Sequence, residues 1–93
     1  MTDAFQALRA RFRVRAGEEL AQLEVMTATS SDSMELRRLV HNIAGAAGTF
    51  GFPELSHAAM AIDDDYTAGT VPRPEAFQRL ATALSLAAST DEA

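Results

Sequence analysis

The chain has 93 residues, 47% of them hydrophobic and 23% charged, with no cysteine and no tryptophan. That is enough apolar material for one core and too little for a second lobe, and the lack of any sulfhydryl excludes disulfides, thiolate metal sites and a cysteine nucleophile. Eight arginines against thirteen Asp and Glu leave a net charge of −5, which argues against a nucleic-acid partner.

Nineteen alanines, with prolines only at 53, 72 and 74, leave long tracts free of strong helix breakers. The first tract carries Phe5, Leu8, Phe12, Ala16, Leu20 and Leu23 at spacings of three and four, which predicts a helix over about 4 to 28 with those residues against a core. Gly17 lies inside it, and its poor helix propensity predicts a bend or a break there. Arg9, Arg11, Arg13 and Arg15 alternate, so on a helix they split between two faces and read as solvated surface.

The run Thr29 to Ser33 interrupts the periodicity, and Asp32 with Glu35 has capping-box spacing, so a second helix is expected to start there. Its apolar positions are Leu36, Leu39, Val40, Ile43, Ala47 and Phe50, and Gly51, Phe52 and Pro53 stop it. A third helix is expected from Pro53, buried through Leu55, Ala58, Ala59, Ile62 and Tyr66 and ended by Gly69. Pro74 opens a fourth, with Phe77, Leu80, Ala81, Leu84 and Ala88 inward and a frayed tail over 89–93. The expected fold is all-α: residues 1–93 as one domain, an antiparallel four-helix bundle with short connections.

The longest uncharged stretch, Leu39 to Pro53, is too short and too polar to span a bilayer. The opening Met1, Thr2, Asp3 lacks the basic and then apolar order of a secretory leader, so a cytoplasmic address and no membrane partner are expected.

One residue stands on the wrong face of its helix. His41 lies about 200° from Ile43, so the helix that buries Leu36, Val40, Ile43 and Ala47 turns His41 to solvent. Arg37 and Arg38 precede it by one turn, and Ala44, Gly45 and Gly48 follow. Two helical glycines on an outward face sacrifice propensity without serving the core. One reason is access, since bare positions let another molecule approach the imidazole. Gly48 could instead admit a neighbouring helix. His57, the only other histidine, also falls outside its buried stripe and would approach His41 if the two helices were neighbours. A two-histidine metal site lacks a third ligand at suitable spacing, so no metal site is expected. Asp63, Asp64 and Asp65 read as solvated charges near a helix end, and Met26, Met34 and Met60 as core or boundary filling.

The stretch His41, Asn42, Ile43, Ala44, Gly45, Ala46, Ala47, Gly48, Thr49, Phe50, Gly51, then Phe52 and Pro53, resembles the core of histidine-containing phosphotransfer (HPt) domains, whose pattern is H-x-x-K-G, small residues and a glycine-phenylalanine-glycine-like end. Residues 8 to 68 fit that family's layout, and the last third adds a compatible amphipathic helix. The resemblance implies a four-helix bundle that carries a phosphoryl group on His41 and exchanges it with an aspartate of a response-regulator receiver domain. The receiver or a hybrid histidine kinase would be the partner, and the receiver would bring Mg²⁺, this chain binding no cofactor. It would be a phosphoryl carrier more than a catalyst. A monomer is expected because nothing in the sequence makes pairing of two such domains necessary. Gly45 and Gly48 would give clearance, while Asn42, Ala44, Thr49 and His57 would form the contact rim. A neutral imidazole keeps one free lone pair for attack on an aspartyl phosphate, and two nearby cations favour that form. The sequence departs from the pattern at Ala44, where the family has lysine, and this chain has no lysine at all. Arg37 and Arg38 are the candidate substitutes, because helical side chains lean toward the amino terminus and His41 tilts over their turn. The alternatives are a helical adaptor that docks a receiver or kinase without accepting phosphate, and a plain structural bundle or a dimerisation module.

Overall fold

Four α-helices follow one another in the computed structural model, which describes residues 2–89 and side chains from Ala4 onward: α1 Thr2–Thr29, α2 Met34–Thr49, α3 Pro53–Thr67 and α4 Pro74–Ser89. No strand occurs among the described residues, and no helix there is long and apolar enough to cross a membrane. The expectation for the tail beyond Ser89 lies outside the described residues.

α1 neighbours α2 and α4, and α3 closes the square by packing on both of them. The pairs are antiparallel: His41 of α2 meets Asp63 of α3, while Ala44 meets Ser56, and Ala88 near the end of α4 lies 3.8 Å from where a Cβ on Gly17 of α1 would stand. The core contains Phe12, Leu23, Leu36, Val40, Ile43, Leu55, Ile62, Leu80 and Leu84, each at most 2% exposed. The stripes expected for α2, α3 and α4 are buried or half-buried throughout, and Ala87, which was not on the α4 stripe, is buried too.

α1 departs from expectation in three ways. It is one unbroken helix, so the chain does not break at Gly17, and a side chain there would come within 3.8 Å of the Ala88 methyl of α4. Phe5 and Leu8 are 45% and 42% exposed, because α1 is far longer than its neighbours and its first turns run past the α2–α3 corner that Phe12 reaches. Leu20 is only half-buried, and Glu19 takes the inward place on a stripe of Phe12, Ala16, Glu19 and Leu23. Arg15 donates from Nε to Glu19 Oε2 at 3.0 Å, but Oε1 is buried without a partner. An unmet buried acceptor costs about 1–3 kcal/mol. Glu19→Leu, which leaves the half-exposed Arg15 free to hydrate, is therefore expected to raise the thermal midpoint by several degrees, read by calorimetry. An unchanged or lower midpoint would show that the carboxylate is compensated.

The start of α2 is set one residue later than the capping-box spacing suggests. Ser33 is the cap, its Oγ accepting from Leu36 N–H at 3.1 Å, while Asp32 is held in the preceding turn by Ser30. Glu35 still places a negative charge in the first turn, where the helix dipole favours it. The α1–α2 turn is fastened to α3 by Tyr66, whose hydroxyl donates to the Ser31 carbonyl at 2.7 Å. Burial pushes that phenol up to about 12, partly offset by Arg37.

The corner between α2 and α3 is tightly determined. Gly51 has φ +80°, and Phe52 N–H reaches back to the Ala47 carbonyl at 2.9 Å, a left-handed helix cap that a side chain at 51 would strain. Phe50 and Phe52 then turn onto Phe12, with ring centroids 5.7 and 5.0 Å away. Arg9 stacks 4.4 Å over Phe52 and donates from Nε to the Phe50 carbonyl at 2.9 Å, placing a cation at the negative end of the α2 dipole. Arg9 is thus a structural clasp, and Arg15 is likewise engaged, where the sequence suggested solvated arginines. Pro53 occupies the first turn of α3 with no backbone donor to lose.

Candidate functional site

His41 sits mid-way along α2, and its side chain is 73% exposed, as its angular position requires. Solvent is not its only neighbour. Its Nδ1 lies 3.3 Å from Asp63 Oδ2 on α3, a carboxylate that is itself only 30% exposed. A carboxylate can only accept, so the contact suits a proton on Nδ1, and in the neutral ring with that proton the lone pair stands on Nε2, directed away from α3. The expectation that Asp63, Asp64 and Asp65 are three solvated charges is corrected for the first of them. Asp64 is exposed and Asp65 half-buried, and consecutive helical positions point in different directions, so only Asp63 meets the ring.

The surroundings of His41 differ from expectation in other particulars. Arg37 is turned onto Tyr66, its guanidinium 4.9 Å from the ring centre and its Nε donating to the Asp32 carbonyl at 3.3 Å. Its charge is therefore held toward the start of α2. Arg38 is exposed and makes no ion pair among the described residues, which leaves it as the cation available one turn before His41. Ala44 is half-buried against the core, and its carbonyl accepts from Ser56 Oγ at 3.2 Å, so this position faces the α2–α3 seam as much as solvent. Asn42 is fully on the outer face, and the Thr49 hydroxyl is spent on the Gly45 carbonyl at 3.0 Å.

The two glycines separate in role. A Cβ on Gly45 would meet nothing within 4 Å, whereas one on Gly48 would touch Ser56 Oγ at 3.4 Å. Gly48 serves the approach of α3, and only Gly45 leaves an open patch. His57 is exposed on α3 but precedes Asp63 by almost two turns, about 9 Å of rise at 1.5 Å per residue. The neighbour of His41 is Asp63 instead. A groove of about 510 Å³ lined by Arg9, Phe52, Leu55, Arg79 and Leu86 lies at the α2–α3 corner and takes no part in the His41 site. No group of three or more His, Asp or Glu among the described residues is arranged to hold a metal ion.

An exposed imidazole paired through Nδ1 with a carboxylate, on a helix whose next turn is bare, is one element of a four-helix frame whose signature run ends at the Phe50–Gly51–Phe52 corner. The family model for the Hpt domain matches residues 7–90. The chain belongs to the Hpt domain family. The match reaches through all four helices, so α4, which carries no signature residues of its own, belongs to the Hpt frame as well. Hpt domains serve histidine phosphotransfer in two-component systems, where they interact with receiver domains and kinases. No curated protein and no solved structure matches the chain.

The open position in this Hpt domain has a measurable signature. Gly45→Leu gains helix propensity, up to about 1 kcal/mol, because nothing in the chain occupies the space. It is expected to raise the thermal midpoint while slowing phosphoryl exchange with a receiver, and to leave phosphorylation by a small donor such as phosphoramidate unchanged. Equal exchange rates for Gly45→Leu and the parent would show that no partner seats at Gly45.

Proposed function

We propose that this chain is a phosphoryl carrier in which His41 Nε2 exchanges a phosphoryl group with the aspartate of a receiver domain. The observation that carries this reading is the His41–Asp63 contact, because it presents Nε2 as a nucleophile on an exposed ring. In the accepting step the Nε2 lone pair forms a bond to phosphorus, and the bond between phosphorus and the donor carboxylate oxygen breaks, its electron pair leaving with the donor. The Nδ1 proton stays in place, and the ring becomes a phosphorylated imidazolium facing Asp63. In the donating step a carboxylate oxygen of the receiver aspartate forms the bond to phosphorus, the N–P bond breaks with its pair returning to Nε2, and the ring is neutral again. No proton needs to move in either direction. Holding that proton on Nδ1 means the ring leaves as neutral imidazole and never as imidazolate.

Phosphoryl transfer asks chiefly for in-line positioning and charge neutralisation. Gly45 gives the receiver room to bring its aspartate into line, and Arg38 is the cation of this chain best placed to meet phosphoryl oxygens. We assign Mg²⁺ to the receiver, where it would neutralise the charge on the phosphoryl group during transfer. Asn42 and His57 are assigned to the rim that the receiver covers. The test is incubation with a radiolabelled, phosphorylated receiver and Mg²⁺. Acid-labile, base-stable label on this chain is expected. Retained binding without label would replace the carrier by an adaptor.

A further inference from the structure

The long helix α1 carries apolar residues on two opposite faces. One is the core stripe through Phe12, Ala16 and Leu23. The other lies about 200° around the helix and comprises Ala7, Arg11, Val14, Glu18, Ala21 and Val25, alternating in steps of four and three, and every one of these residues is exposed. Val14 and Val25 are 66% and 71% exposed. Valine lowers helix propensity and gains nothing from water, so two of them on the solvent face of the longest helix call for a partner. Arg11 and Glu18 make no ion pair with each other, being two turns apart, and none with any other described residue.

We propose that this face pairs with the same face of a second copy, forming an antiparallel α1–α1 dimer. The spacing is self-complementary about a two-fold axis near residue 16. Ala7 then lies opposite Val25 of the second copy, Arg11 opposite its Ala21, and Val14 opposite its Glu18. Each valine is matched to a small or amphipathic side chain, and the alanines let the helices come close. Each Arg11 falls one layer from the Glu18 of the other copy, and the axis generates two such pairs. A parallel arrangement would instead set Arg11 against Arg11 and Glu18 against Glu18, so the charges select the antiparallel one. The seam runs from Ala7 to Val25, about two thirds of α1. Because α1 lies diagonally across the bundle from α3, pairing leaves His41 and Asp63 of both copies open on the α2–α3 side. The assembly differs from the monomer expected from the sequence, and it is independent of whether His41 carries phosphate.

Sedimentation equilibrium from about 10 μM to about 1 mM is expected to show a monomer–dimer equilibrium. Arg11→Glu and Glu18→Arg should each weaken association by about tenfold or more, and the double variant should restore it, since the pair is re-formed with its signs exchanged. Both positions are exposed, so circular dichroism should show unchanged helix content in all three variants. A monomer throughout that concentration range overturns the proposal. So does a dimer indifferent to the single reversals, or one that the double variant fails to restore.

Discussion

His41→Ala is expected to take no label from a phosphorylated receiver while keeping its fold. The side chain is 73% exposed, and its hydrogen-bonding partner is Asp63 alone, so its removal should change stability by no more than about 0.5 kcal/mol. Loss of label at an unchanged thermal midpoint would then reflect chemistry and not unfolding. The comparison needs His57→Ala beside it, because His57 is the only other histidine and is also exposed. His57→Ala should keep the label and at most weaken docking. Label that survives His41→Ala but disappears in His57→Ala would move the acceptor to α3 and remove the role given to Asp63.

Asp63→Ala is expected to slow phosphorylation of His41 by roughly tenfold to a hundredfold, the range found when the group that orients a functional histidine is removed. Asp63 would act through the ring and not on phosphorus, so the readout must follow the ring. In the parent, ¹⁵N spectra of His41 should show the proton on Nδ1. In Asp63→Ala the ring loses its acceptor, and the spectra should shift toward a mixture with the Nε2–H form, which offers no lone pair at the outward nitrogen. Asp63→Asn keeps an acceptor oxygen but not the charge facing the phosphorylated imidazolium, so its rate should fall between the two. Equal rates for all three proteins, or an unchanged tautomer in Asp63→Ala, would reduce the 3.3 Å contact to a passive surface ion pair.

The helices were legible because their apolar positions recur at three and four and because Pro53, Gly51, Gly69 and Pro74 mark their ends with residues suited to those backbone geometries. The outward position of His41 followed from the same periodicity. Several features did not follow, each for a physical reason. Asp32 and Ser33 are both competent caps, and the choice between them rests on the turn that Ser30 makes with Asp32. Arg9 looked like any surface arginine, since its target, the carbonyl end of α2, is distant in sequence. The reach of α1 beyond the bundle depends on where α2 turns, so Phe5 and Leu8 could be read as core from a stripe that continues unbroken. Gly45 and Gly48 are equivalent by spacing and diverge only through Ser56 on α3. The missed residue, Asp63, had a usable signal. In an antiparallel hairpin that turns at residues 50–52, positions equidistant from the turn meet, and the mirror of 41 falls at 61, within two residues of 63, while 57 mirrors 45, a full turn beyond the histidine. Local periodicity describes one helix at a time and does not contain that reflection.

The corner at Phe50–Gly51–Phe52 has a consequence for how the chain can change over time. It is the ruler that sets which residue of α3 stands beside the imidazole. One residue inserted there would turn α3 by about 100° and advance it by about 1.5 Å, bringing a different side chain to the ring while the core stripe lost its own alignment. The 68–73 connection carries no such measurement, because α4 supplies nothing to the His41 pair. Length variation compatible with the chemistry is therefore tolerated in the connection after α3, and the α2–α3 corner, which sets the register of the histidine's neighbour, is the one with no freedom to grow.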